Sequence, residues 1–568
     1  MRTFNRSSTG PMLPQVGPRL RSNAVHTLPR ALRHRILSAA VVSVLLVVAT
    51  ACSSIGTTSP TQSTIGATQL PGVADGGTLS VAVPADTRRW SPVDQWTTAD
   101  LQVARAVYDR LMVRDENGRV VPELAEKVSS TSNHSVWTIT LRPGIVFSDG
   151  TALDASVVAA NLDAQRDAAT NGGLLDPISS VTVIDRSTLT ITMFTPWSTF
   201  PEVLTTRVGT IAAPVTLAGF SAGPVGTGPF TYAGTEPDGT VVVAANRAYW
   251  RKGLPRLDEV RFVPIADAAE RVDAVLAGRV QMVAVDEPRQ LSRLDVLPDR
   301  DTTIVVHEDR NAERPKVNIA LESGRPPFDR VAARRAVTLA TDRAEILAKA
   351  FDGQGTIARG MISDTSPWFT DQTSGTRDLD RARRLVEEYT AETGLPLTFR
   401  LLVPPDVTLQ RVASLWRVQL SQAGIEVAIE QIDAAMVDLV GATGQFQALL
   451  QVGFNAAHPD VYFPLFRGIA AEQSLVSTNI TRYINPLVTK AFVDARSTLD
   501  SARQVDDYRI VQEQVLVDVP YVFMVQVRQV VVTTPAVRDV MSWRSATGAS
   551  GLGLDDATVS LAQVRIAR

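Results

Sequence analysis

The stretch that decides the fold runs from Leu397 to Ile432: "LTFRLLV" (397–403), then "TLQRVASLWRVQLSQAG" (408–424), then "IEVAIEQI" (425–432). Two apolar-rich runs of strand length flank a segment in which Val412, Leu415, Trp416 and Leu420 recur at helical spacing, and Gly424 supplies the stop. Strand, helix and strand in that order predict a βαβ unit with parallel strands and a right-handed crossover. "QALLQVGF" (447–454) reads as a further buried strand. Ligands of open α/β sheets sit beyond the carboxyl ends of the strands. That rule puts "FNAAHPD" (454–460) at a candidate binding edge.

Outward from this unit the rhythm changes. "FDRVAARRAVTLATDRAEILAKAF" (328–351) carries helical spacing through Val331, Ala336, Ala340 and Ile346. The first half is richer in strands. In "GTLSVAVP" (77–84), Leu79, Val81 and Val83 alternate as in a half-buried strand. "TADLQVARAVYDRLM" (98–112) predicts a helix with Leu101, Ala104, Val107, Tyr108 and Leu111 on one face. "HSVWTITLRPGIVFSDG" (134–150) predicts strands with Trp137, Ile139 and Leu141 facing one way. Asp154 is placed to cap a helix through Asn161, and "VTVIDRSTLTITMF" (181–194) reads as a hairpin with Leu189, Ile191 and Met193 alternating against threonines.

A chain of 568 residues is too long for one core and predicts two or three domain-sized units. At 45% hydrophobic and 20% charged residues it has the composition of a soluble globular protein. Seven of its arginines precede Cys52, whereas its first acid is Asp75. Without those seven, 49 basic residues face 59 acidic ones, a net of −10. An acidic body with no basic stripe argues against nucleic acid as a partner.

The early arginines have a separate explanation. "RALRHR" (30–35) precedes the apolar run Ile36–Ala51, too short for a comfortable membrane span but suited to a signal-peptide core. The run ends in "VVATACSS" (47–54), which is similar to a bacterial lipobox: Ala51 precedes the only cysteine, Cys52, while Ala49 stands where leucine is usual. Cys52 is therefore the expected lipid anchor, with an ordinary secretory signal or a short anchor helix as the alternative. Met12 is a second candidate start. The polar stretch "SSIGTTSPTQSTIGATQLPG" (53–72) reads as a disordered tether.

Motifs that suggest catalysis lack their partners. "GFSAG" (219–223) matches the serine-hydrolase pattern, but "PVGTGPF" (224–230) follows instead of a helix, so Ser221 reads as a loop serine with a nucleophilic role as the minor alternative. "HED" at His307 lacks a second histidine at helical zinc spacing. With His134, His307 and His458 scattered and no further cysteine, no metal site and no cofactor is expected. "GPVGTGPF" (223–230) lacks the lysine of a phosphate loop.

Several blocks together resemble the peptide/nickel-binding proteins of ABC importers, solute-binding protein family 5. These are "YDRLMVRDENGRVVPELAEK" (108–127), "WTITLRPGIVFSDGTALDASVV" (137–158), "GPVGTGPF" with "NRAYWRKGLPRLDEVRF" (246–262), and "RPPFDRVAARRAVTLATDRAEIL" (325–347) with Arg334 and Asp342-Arg343. "YINPLVTKAFVDARSTLD" (483–500) and "LVDVPYVFMVQ" (516–526) resemble the family's C-terminal blocks. The likeness covers most of 78–545 in the family's order. It implies an α/β, two-lobed periplasmic-binding-protein fold of the class II type, closing on its ligand about a hinge. The expected boundaries are a signal peptide at 1–51, a tether at 52–76, lobe one at 77–305 with a subdomain at about 112–220, lobe two at 306–519, and a return to lobe one at 520–568.

The resemblance implies a monomeric receptor, not an enzyme, held on the outer face of a bacterial cell membrane. It would capture an oligopeptide or another extended polar solute and deliver it to an ABC permease and its ATPases. Peptide-binding members carry a tryptophan at the end of the 447–454 strand and an aspartate soon after that grips the peptide amine. Here Phe454 takes the tryptophan's place, no acid lies between it and His458, and Asp460 follows the proline. The amine-gripping role is therefore carried onto no residue of this chain. The candidate ligand-binding residues are Phe454, Asn455 and His458 on one side, facing Arg88 and Trp90 of "DTRRWSP" (86–92) on the other. The alternatives are an envelope lipoprotein of the same fold that senses a ligand or binds a partner without transport, and a secreted hydrolase using Ser221.

Overall fold

The computed structural model describes residues 75–85, 89–94, 97–168, 172–219, 223–297, 303–371, 376–468, 477–555 and 558–567. The expected signal segment, Cys52, nearly all of the tether, Arg88 and Ser221 lie outside the described residues.

The unit that opened the sequence analysis folds as expected. Strands Thr398–Val403 and Glu426–Gln431 pair in parallel, joined by the helix Val407–Ser421. Asp406 caps that helix by accepting from the Leu409 amide at 2.8 Å. Val412, Trp416 and Leu420 are fully buried beneath it. The unit occupies one side of a six-stranded sheet, continued by Ala448–Gly453, Lys316–Leu321, Tyr521–Gln526 and Thr356–Ile357. Apolar clusters cover both faces of this sheet, which is why Lys316–Leu321 is buried at every position: Ile319 and Leu321 face one cluster and Ala320 the other.

The second large sheet has seven strands in the order Val305–Glu308, Val530–Thr533, Met282–Val285, Thr78–Val83, Glu259–Pro264, Val241–Ala245 and Phe230–Thr235. Thr78–Val83 is central, so the period-two pattern of Val81 and Val83 is joined by a buried Ala82 facing the opposite cluster. A third body is a four-stranded antiparallel sheet, Ala125–Ser130, Val136–Leu141, Thr188–Met193 and Ile178–Val183, packed with the helix Ala155–Asp167. Trp137, Ile139, Leu141, Leu189, Ile191 and Met193 all point into its core, and Asp154 caps the helix.

Three expectations shift. Sheet pairing puts the two chain crossings between Glu308 and Lys316 and between Gln526 and Val530, later than the boundaries expected at 305/306 and 519/520. The return that the resemblance puts at 520 comes later because Tyr521–Gln526 pairs with Lys316–Leu321. The expected long helix at 328–351 is two helices, Val331–Ala340 and Arg343–Ala350, because Asp342 turns aside to accept from the Glu345 amide as an N-cap. The first helix is Thr98–Val107, shorter than expected, and Tyr108 and Leu111 lie beyond it.

The glycines of "GPVGTGPF" explain where that helix ends. The Gly228 amide donates to the Val107 carbonyl at 2.8 Å. A Cβ at Gly226 would sit 2.2 Å from the Val107 oxygen, and one at Gly228 would sit 2.4 Å from the Val107 carbonyl carbon. Only glycine lets the two backbones meet this closely.

Candidate functional site

A cleft of about 520 Å³ runs between the two large sheets. The helix Thr98–Val107 and the chain after it supply Leu101, Ala104, Arg105, Tyr108, Arg110 and Arg114 to one wall, and Thr205–Val208 continue it. The first crossing segment contributes Asn311, Ala312 and Glu313. The loop leaving the strand Ala448–Gly453 provides Asn455, Ala456 and Ala457, and the C-terminal segment adds Trp543 and Leu552–Asp555. The carboxyl end of that strand thus meets the cleft, as open-sheet geometry requires.

The electrostatics of the wall are one-sided: four arginines against two carboxylates, each already paired. Asp555 accepts from Arg105 Nη2 at 2.5 Å and from Arg110 Nη1 at 3.2 Å. Its depth in the cleft would raise its pKa, but the two guanidiniums hold the carboxyl well below the usual range. Burial works against Arg110 as well, lowering it to about 10. Glu313 receives Lys316 Nζ at 2.9 Å and two contacts from the Ser363 amide. Burial pushes the Glu313 carboxyl up and the Lys316 ammonium down, each partly offset by the other's charge. Arg114 pairs with Glu202 at 2.5 Å, just outside the cleft.

The sequence candidates separate. Asn455 lines the cleft. Phe454 does not: it is 5% exposed, with the rings of Tyr462, Tyr521 and Phe523 at centroid distances of 5.1, 4.9 and 5.0 Å. Its φ of 58° is left-handed, which turns the chain out of the strand, and its carbonyl accepts from the buried Lys316 at 2.7 Å. His458 is buried against Trp368 and Tyr508, at 4.6 and 5.8 Å, and its Nδ1 accepts from the Asp460 amide at 3.2 Å. Burial lowers the His458 pKa. Trp90 is half-buried on Tyr232 at 5.5 Å, and its carbonyl takes the Tyr108 hydroxyl at 2.6 Å. It supports a cleft residue from behind.

Asp460 anchors a dry junction instead. It accepts from Trp197 Nε1 and Thr199 Oγ1, each at 2.7 Å, and from Arg496 Nε. The Arg496 guanidinium lies over the rings of Phe463 and Trp197 at 3.9 and 4.6 Å. Trp197 and Thr199 belong to the four-stranded body, whereas Asp460 and Arg496 belong to the six-stranded lobe. Arg334 and Arg343, the arginines of the family-like helix block, are structural too. They donate to the carbonyls of Asp518 and Phe523 at 2.6 and 2.7 Å.

The residues missed by sequence reasoning are Arg105, Arg110, Arg207 and Asp555. "RAVYDRLMVR" (105–114) does concentrate three arginines. Their carboxylate partner lies 450 positions from Arg105, beyond any local pattern. Among the described residues no three His, Cys, Asp or Glu side chains are grouped to hold a metal ion, and no helix is long and apolar enough to cross a membrane.

Two lobes that flank a cleft at strand ends and are joined by chain crossings define the two-lobed periplasmic-binding-protein fold. The comparisons give the family. Residues 119–471 match the model of bacterial extracellular solute-binding proteins, family 5 (middle), and the chain belongs to that family. It is 26% identical over 464 residues to the glutathione-binding protein GsiB of Pectobacterium atrosepticum, covering 79% of this chain and 88% of the relative. GsiB of Escherichia coli K12 is likewise 26% identical over 465 residues, covering 78% and 88%. The fold is shared with AgaA from A. tumefaciens R10, solved with agropinic acid, at a TM-score of 0.76 and 24% identity over 87% of this chain and 99% of that one. DppA of Helicobacter pylori, solved with the peptide STSA, follows at a TM-score of 0.75 and 19% identity over 87% and 99%. The chain is an extracytoplasmic binding protein that works with an ABC permease and its ATPases, and it is not an enzyme.

Proposed function

We propose that this protein is a monomeric, lipid-anchored receptor that captures a peptide-like solute in the cleft between Arg105, Arg110 and Asn455 and hands it to an ABC importer. The observation that carries the reading is the cleft's position, lined from both lobes and from the first crossing segment. A ligand there touches both lobes at once and stabilises their closed arrangement through differential contact. Lobe one is taken as 77–308 with a return after Gln526, and lobe two as the six-stranded sheet and its helices. The glutathione-binding relatives make a small peptide the first candidate. Lipidation of Cys52 would hold the receptor at the membrane through the polar tether.

The test is a thermal-shift series on the mature chain with glutathione and with di- to pentapeptides. A ligand bound at a hundred times its Kd stabilises the folded state by about 2.7 kcal/mol. A clear, concentration-dependent rise in Tm with one of these supports the reading, and a flat response to all of them overturns it. Anchoring is checked separately: Cys52→Ala should abolish incorporation of labelled fatty acid and release the protein from the membrane fraction.

A further inference from the structure

The cleft has a charge that the receptor reading leaves unused. Of the four guanidiniums that line it, Arg114 is paired with Glu202 and Arg207 donates to the Asp94 carbonyl, which leaves Arg105 and Arg110 to set the local balance. Of its two carboxylates, Glu313 is held by Lys316 and the Ser363 amide, and Asp555 takes both Arg105 and Arg110 on the single oxygen Oδ2, so that one negative charge faces two positive ones. Asp555 is one carboxylate shared by two cations, and its side chain keeps 47% of its surface open, against 18% and 19% for Arg105 and Arg110. Among the described residues Arg105 gives only Nη2 to a hydrogen bond, and Arg110 gives only Nη1, to Asp555 and to the Thr205 carbonyl. A guanidinium carries five N–H donors on three nitrogens, so both side chains retain donors that the protein leaves unused. Paired, planar donors are the arrangement that carboxylates fit in a bidentate manner.

The complementary observation concerns cations. A peptide amine needs an acceptor whose charge is not already outweighed, and Asp555 is outnumbered by two guanidiniums while the loop after Gly453 supplies only Asn455, Ala456 and Ala457. The acid of that loop, Asp460, is fully buried and holds three donors in the dry junction.

Resting on the receptor reading above, we propose that the cleft selects a compact solute bearing a net negative charge, whose carboxylates are gripped by Arg105 and Arg110 on either side of Asp555. The cleft volume of about 520 Å³ suits a solute of a few residues.

The experiment compares three tripeptides of equal length, tri-glutamate, tri-glutamine and tri-lysine, with glutathione as a fourth probe. Binding to the mature wild-type chain, Arg105→Gln and Arg110→Gln is followed by calorimetry at low and at 0.5 M salt. Tri-glutamate and glutathione should bind at least tenfold more tightly than tri-glutamine, and tri-lysine should not bind. High salt should weaken the anionic probes, and Arg105→Gln should cost them tenfold or more. Far-UV circular dichroism shows that each variant is folded, and Arg105→Gln alone decides the matter should Arg110→Gln fail to fold. Equal binding of tri-glutamine, preference for tri-lysine, or full affinity in folded Arg105→Gln overturns the charge selection while leaving the receptor intact. Absence of binding by all four probes overturns both.

Discussion

Two aspartate–arginine pairs, both joining distant parts of the chain, do opposite things. Asp460 and Arg496 keep 0% and 5% of their side-chain surface, whereas Asp555 is 47% open beside Arg105 and Arg110. Around Asp460 the carboxylate is saturated by Trp197, Thr199 and Arg496, and the guanidinium is sandwiched between rings. Around Asp555 there is one carboxylate for two guanidiniums, with donors left over. The first arrangement is complete without a partner and holds the four-stranded body on the six-stranded lobe. The second lies in the cleft and is completed by whatever enters. Burial and the ratio of donors to acceptors, not residue type, separate a structural pair from a binding one.

The largest effect should come from Asp460→Ala. It strands a buried guanidinium and two donors, and removing one member of such a pair costs about 3–5 kcal/mol. Urea unfolding of the unliganded protein measures it; a loss under about 1 kcal/mol would erase the contrast. Asp555→Asn, in the half-open pair, should cost clearly less than Asp460→Ala, because its carboxylate keeps 47% of its surface in contact with solvent. A cost equal to that of Asp460→Ala would show that Asp555 is structural as well.

The same contrast recurs at adjacent positions. Phe454→Ala should destabilise by about 3–5 kcal/mol because it empties the centre of an aromatic cluster. Asn455→Ala should cost much less than Phe454→Ala in unfolding while weakening the ligand measured by calorimetry. Should Asn455→Ala leave affinity unchanged, the loop contributes only shape.

The smallest effect is a slope. His458 is buried with its folded pKa lowered, so the unfolded state takes up the proton first as pH falls. The stability associated with neutral His458 is fully present above its unfolded value of about 6.5 and is lost as pH falls from there through the folded pKa. Glu123, raised by burial to about 7, runs the other way: its contribution is lost as pH rises from its unfolded value of 4.5 through 7. The informative quantity is therefore the difference between wild type and His458→Asn between pH 7 and 5.5. Wild type should lose more stability over that interval, and parallel curves would place His458 in contact with solvent.

The sequence by itself determined the elements whose signal is local. Period-two burial in Val136–Leu141, helical spacing in Val407–Ser421, the Asp154 cap and the parallel pairing that follows from a βαβ unit all depend on neighbours within about 35 positions. Tertiary structure alone decided which way the loop faces residue by residue: Phe454 into the core, Asn455 to Ala457 into the cleft, His458 to Asp460 into the junction. It also decided the pairing of Arg105 with Asp555 across 450 positions. An arginine in a sequence is a charge with five donors, and only the partners that the fold brings within hydrogen-bond distance determine whether any are left for a ligand.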